Sequence, residues 1–66
     1  MPGPEPPITL AQFLKLQRVA DTGGQAKQLV RSGAVRVNGA VETRPGRQLR
    51  AGDRVTIDER SFLVER

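Results

Sequence analysis

Asn38-Gly39 stands between Val35-Arg36-Val37 and Val41, and this short run constrains the fold more than any other part of the chain. Asn and Gly both tolerate positive φ, which a type I′ turn needs at its two central positions, and the twist of that turn matches a two-residue hairpin. In a strand, Val35 and Val37 point to one side and Arg36 to the other. The spacing predicts a hairpin whose valines face a core and whose arginine faces solvent, with residues 41–43 as the return strand. Residues 44–53, RPGRQLRAGD, read as a turn-rich connection with Leu49 as its buried anchor. Asn38-Gly39 and Gly52-Asp53 are turn chemistry, with the Asp53 carboxylate tying down backbone N–H groups. Val55 and Ile57 then alternate as a third strand, residues 58–60 turn the chain, and residues 62–64 close the sheet.

Upstream of Gly33 the apolar period becomes helical. Residues 8–20 predict a first helix with Thr9 as N-cap. Leu10, Phe13, Leu14 and Leu16 form its apolar surface, extended by Val19 and Ala20. DTGG, residues 21–24, breaks the pattern, and Asp21 or Thr22 caps a second helix over about residues 24–32. Gly33 suits the left-handed position that ends it. Ala26, Leu29 and Val30 share one face and are expected in the core, while Lys27 and Arg31, four apart, share another. The predicted fold is α+β: a helical hairpin followed by a small antiparallel sheet of about four strands. Residues 1–7, MPGPEPP, carry four prolines and read as a disordered or extended tail, leaving 8–66 as a single domain.

A chain of 66 residues has one small core. It contains neither Cys nor His, so disulfides, thiolate or imidazole metal sites and the usual general base near neutral pH are excluded. The acidic residues form no paired motif and no nucleophile–base set, so neither an enzyme nor a cofactor is expected. No apolar run approaches the ~20 residues of a membrane span, and the Pro-rich start lacks the apolar segment of a secretory signal. No membrane partner and a cytoplasmic location are the expectation. Eleven basic residues against seven acidic ones give a net charge of +4, and nine of the eleven are Arg. The Arg fork fits phosphate, so the composition points to a polyanion, above all nucleic acid. Phe13 and Phe62 are the only aromatics and both fall at apolar-patterned positions. A stacking platform for single strands is therefore not expected, and recognition of RNA shape and backbone is.

The candidate contacts follow from placement. Thr22, Gly23 and Gly24 stand at a helix start, where free N–H groups and the helix dipole favour an anion and glycines let a phosphate come close. The alternative is that the two glycines only make the inter-helix turn. Lys27 and Arg31 lie on the exposed side of the second helix, and Gly33 should bring the outward-facing Arg36 close to it. Arg44 and Arg47 punctuate the connection after the hairpin.

Helix, turn, helix, then SGAVRVNGAVETRPGRQLRAGDRVTI resembles the small RNA-binding domain of ribosomal small-subunit protein S-four, the alpha-L motif. The matching positions are Gly33, Val35-x-Val37-Asn38-Gly39, Val41, Leu49, and Gly52-Asp53 before Val55-x-Ile57. ITLAQFLKL and DTGGQAKQLV more closely resemble the stand-alone bacterial subgroup, small proteins associated with ribosomal RNA. The resemblance covers nearly everything after the tail. It implies a non-catalytic RNA-binding protein that docks a basic helix-plus-hairpin face on structured RNA, with ribosomal RNA and the ribosome as partners and a monomer as the working form. One position departs. The broader family has Ser-Arg at the start of the second helix, its Arg meeting phosphate, and here the pair is Thr22-Gly23. A competing reading is a protein-interaction adaptor that uses the apolar surface of the first helix and the proline tail, with RNA affinity incidental.

Overall fold

Thr9 both ends a strand and caps a helix. β1 (Ile8–Thr9) leads directly into α1 (Leu10–Leu16). The Thr9 Oγ1 accepts the Gln12 N–H at 3.2 Å, and the Gln12 Oε1 accepts the Thr9 N–H at 3.0 Å, a reciprocal capping box. The computed structural model describes residues 8–65, so the tail over 1–7 and the terminal Arg66 lie outside the described residues.

The first helix is shorter than its apolar run. Arg18 turns left-handed at φ 59. The Arg18 and Val19 N–H groups donate back to the Lys15 and Leu14 carbonyls, each at 3.0 Å, in a Schellman closure. Leu10, Phe13 and Leu14 are buried, and Ala20 rejoins the core from the connection. Leu16 is 63% exposed. Six residues beyond Leu10, it has rotated by about 240° and left the apolar stripe. A non-glycine residue in the left-handed region costs about 1–2 kcal/mol. Arg18→Gly is therefore expected to stabilise the fold by about 0.5–1 kcal/mol after glycine's own entropy cost. That is a rise in melting temperature of roughly 3–6 °C for a domain of this size. A lower melting temperature would show that the Arg18 side chain supplies more than its backbone costs.

α2 (Gly23–Arg31) begins one residue earlier than its pattern suggested, with Thr22 as N-cap and Ser32 as C-cap. Gly33 follows at φ 85, as expected of the residue that ends a helix. Ala26 and Val30 are fully buried, whereas Leu29 is only half-buried and packs on the core from its flank.

The Asn38-Gly39 turn forms as expected, but the return strand lies at Ala40–Val41 and not at residues 41–43, because a two-residue turn sets Ala40 directly opposite Val37. Asn38 and Gly39 adopt φ 54 and 86, and β2 (Val35–Val37) pairs antiparallel with β3 (Ala40–Val41). β5 (Arg54–Ile57) and β6 (Arg60–Leu63) complete a four-stranded antiparallel sheet in the order β3-β2-β5-β6. The two short strands β1 and β4 (Gln48–Leu49) form a separate pair with Ile8 opposite Leu49, an element the sequence pattern did not suggest. On one face of the larger sheet lie Val35, Val37, Val55 and Ile57, all buried, with Phe62 beside them. The helices cover this face: Phe13 meets Phe62 edge-on, centroids 6.4 Å apart and planes at 77°. Arg60 caps the Phe62 ring at 5.7 Å. The other face carries Arg36, Thr56 and Ser61 in one row across the strands.

A polar lock joins two turns at one end of the sheet. The Asn38 side chain donates to Asp53 Oδ1 at 3.1 Å and accepts the Arg54 N–H at 3.0 Å. Asp53 Oδ2 accepts the Arg50 N–H at 2.8 Å. Those bonds, the Arg50 N–H foremost, hold the Asp53 carboxyl below its ordinary range.

Candidate nucleic-acid interface

The RPGR segment makes a tight turn, with the Arg47 N–H donating to the Arg44 carbonyl at 3.1 Å and Pro45 at the position that suits its fixed φ. This turn docks on the start of α1. The Leu10 N–H donates to the Arg47 carbonyl at 2.8 Å and the Ala11 N–H to the Pro45 carbonyl at 3.1 Å. The first donors of α1 are thus consumed inside the protein. Those of α2 are not. The Gln25 N–H reaches Thr22 Oγ1 at 3.1 Å and the Ala26 N–H reaches the Thr22 carbonyl at 3.0 Å. The N–H groups of Gly23 and Gly24 precede any intrahelical acceptor.

Between the two helix starts and the turn lies a groove of about 340 Å³. Thr9, Ala11, Gln12 and Lys15 line one side, Gly23 and Lys27 another, and Pro45 and Gly46 the third. Its walls are mostly apolar. Lys15 and Lys27 are exposed, and Arg44 and Arg47 flank the Pro45-Gly46 tip. Arg31 follows Lys27 one turn along the same helix face. Neither glycine of α2 has positive φ, and a Cβ at Gly23 would meet nothing within 4 Å. They are the first two residues of the helix and do not make the turn before it.

Glu42 organises the turn. It is buried, at 6% exposure. Its carboxylate accepts from Arg44 Nε at 3.1 Å and from Arg47 Nη1 at 2.9 Å, and also from the Thr43 and Arg44 backbone N–H groups. Two guanidinium groups share one carboxylate, so a positive charge remains, and the Arg44 side chain is still 77% exposed. The hydrogen bonds from Arg44 and then Arg47 lower the Glu42 pKa to about 2, against the opposing effect of burial. The folded-state value lies below the unfolded one, so the stabilisation is full above about pH 4.5 and is lost as pH falls toward 2. Glu42→Gln is expected to cost about 1–3 kcal/mol at pH 7, because an amide NH₂ would face two cationic donors. It should also flatten the fall in stability between pH 4.5 and 2, measured by denaturant melts across that range. An unchanged acid limb would mean that Glu42 is not the group being titrated.

Of the residues anticipated from sequence, Gly23 and Lys27 line the groove, Thr22 and Gly24 adjoin Gly23 at the same helix start, Arg31 lies one turn on, and Arg44 and Arg47 flank the tip. Arg36 is elsewhere. It sits on the outer face of the sheet, in a second cleft with Gly33, Ala34, Thr56 and Asp58. Its cross-strand neighbour Val41 is 55% exposed and passes over Gly33. Lys15, Gln12 and Glu42 are not among the contacts the sequence suggests. The register signals Glu42: a two-residue turn sets Ala40 opposite Val37, which puts Glu42 on the valine side. Lys15 and Gln12 carry no such signal, because they join the site only where the later turn folds back on α1. Among the described residues no cluster of acidic side chains could hold a metal ion, and no helix is long and apolar enough to cross a membrane.

A family model described as the S4 domain matches residues 4–65. The chain is 39% identical over 62 residues to a protein of Escherichia coli (strain K12) named "Putative RNA-binding protein YbcJ", an alignment covering 94% of this chain and 89% of that one. It is 47% identical over 51 residues to "Probable ribosome maturation protein RlbA" of Bacillus subtilis (strain 168), covering 77% of this chain and 72% of the other. It is also 50% identical over 44 residues to "Small ribosomal subunit protein uS4m" of Schizosaccharomyces pombe (strain 972 / ATCC 24843), covering 67% of this chain but 14% of that much longer one. With two helices and an antiparallel sheet among the described residues and a family match across nearly its whole length, the chain belongs to the S4-domain family.

Proposed function

We propose that this protein is a non-catalytic RNA-binding module that docks the groove side of its helical hairpin on structured RNA, with ribosomal RNA as the partner. The observation that carries the reading is convergence: Lys15, Lys27 and the Arg44–Arg47 turn meet at one groove, beside the free N–H groups of Gly23 and Gly24. Lysines and arginines neutralise phosphates and release counterions. The helix start adds fixed donors where the side chain of residue 23 supplies none. Arg31 extends the same face, and Arg36, in the second cleft on the outer face of the sheet, is a separate and lesser contact. The names of the relatives, RNA-binding and ribosome maturation proteins, agree with this use.

Two acidic groups support the non-catalytic part of the reading. Glu42 is held by the Arg44 and Arg47 side chains and backbone N–H groups, and Asp53 by the Asn38 amide and the Arg50 N–H, and both are pushed below the range a general acid or base needs. The adaptor reading loses its main surface: the apolar residues of α1 are buried in the core, and Leu16 alone of its leucines is exposed.

Salt dependence tests the proposal. With about three to five phosphates neutralised, log K against log salt should have a slope of order −2 to −4 on a structured RNA. A slope near zero would remove the electrostatic footing of the reading.

A further inference from the structure

The groove is the wrong shape for a phosphate backbone alone. Phosphates need donors and charge, and these stand at its edges. The interior is a mostly apolar concavity, walled by Ala11, the Pro45 ring and the Gly46 backbone. The carbon stems of Lys15 and Lys27 add to those walls while their charged ends stay in water. Its volume of about 340 Å³ is at the small end of ligand pockets, room for one base and its sugar and far too little for a duplex. The surrounding cations say that the occupant belongs to a polyanion. The part of RNA that combines apolar faces with an attached phosphate is an unstacked nucleotide.

The polar groups inside agree. The Gln12 Oε1 is committed to the Thr9 N–H, so its NH₂ is left to donate. Thr9 Oγ1 already accepts the Gln12 N–H, and the Pro45 carbonyl is taken by the Ala11 N–H. The groove therefore offers the Gln12 NH₂ as a donor to a carbonyl oxygen on a base edge. Side chains are missing where they would close it: a Cβ at Gly23 or at Gly46 would meet nothing within 4 Å.

From these features we infer that the groove takes a single nucleotide extruded from the RNA, its base against Pro45 and the lysine stems, its phosphate toward Lys27 and the start of α2. This rests on the RNA-binding reading above and adds which feature of the RNA is sought. The test compares two RNA hairpins that differ only by one bulged uridine, each titrated against the full chain. The bulged hairpin should bind about tenfold more tightly. Gly46→Leu, which fills the groove without changing charge, should bring the ratio of the two affinities to about one. Gly23→Leu should do the same from the opposite wall, and circular dichroism checks that both variants are folded. A ratio of one in the unmodified protein, with salt-dependent binding intact, overturns the extruded nucleotide and leaves the RNA-binding reading standing. A preference that survives in both folded variants also overturns it. Binding to neither hairpin overturns both readings.

Discussion

Lys27→Glu should weaken binding to structured RNA by at least tenfold, about 1.4 kcal/mol or more, with the melting temperature almost unchanged. The residue is exposed on α2 and lines the groove. In the proposed docking, reversal removes a phosphate partner and puts a carboxylate in the path of a phosphate. Arg31→Glu acts on the same helix face and should behave alike. Arg36→Glu should have a smaller effect, because that side chain lies in the second cleft on the outer face of the sheet. Arg54→Glu is the control: it makes the same change in net charge on an exposed strand residue away from the groove. An electrophoretic or fluorescence titration of the four variants at one salt concentration separates the possibilities. If Arg54→Glu costs as much as Lys27→Glu, binding follows net charge and the groove has no special part in it.

The second large effect is on folding. Leu14 is fully buried where α1 faces the core, and its carbonyl accepts the Val19 N–H that closes the helix. Leu14→Ala is expected to destabilise by about 2–5 kcal/mol. Domains of this size have only about 0.05–0.15 kcal/mol of stability per residue, so the variant should be largely unfolded at 37 °C by circular dichroism. Leu29→Ala should cost clearly less, because Leu29 is half-buried on the flank of α2. Equal melting temperatures for the two variants would contradict the facing of both helices.

The difference between those leucines shows what the sequence could and could not reveal. Local chemistry was legible. The Thr9 and Thr22 caps, the Gly33 stop, the Asn38-Gly39 turn and the alternation of β2 and β5 each follow from a few adjacent residues. Contacts between distant segments were not. Nothing in RPGRQL announces that it folds back onto the start of α1, pairs Leu49 with Ile8, and so makes a groove with Lys15 and Gln12. The extent of α1 failed for a related reason: residues 17–20 keep an apolar pattern because Val19 and Ala20 pack on the core from a loop, after Arg18 has already ended the helix. Val41 and Glu42 were legible and easily misread. An apolar residue invites burial and an acidic one exposure, but the hairpin register reverses both. Val41 goes out beside Arg36, and Glu42 goes in to hold Arg44 and Arg47.

The central claim, that RNA meets this protein at the groove between the two helix starts and the RPGR turn, is tested most directly by backbone amide NMR during titration with a structured RNA. The predicted result is that the largest shifts fall on Gly23, Gly24, Lys27 and Gly46, while the amides of Thr56 and Ser61 scarcely move. Shifts concentrated instead on Arg36, Thr56 and Ser61, with Gly23 and Gly24 unmoved, would place the RNA on the outer face of the sheet and contradict it.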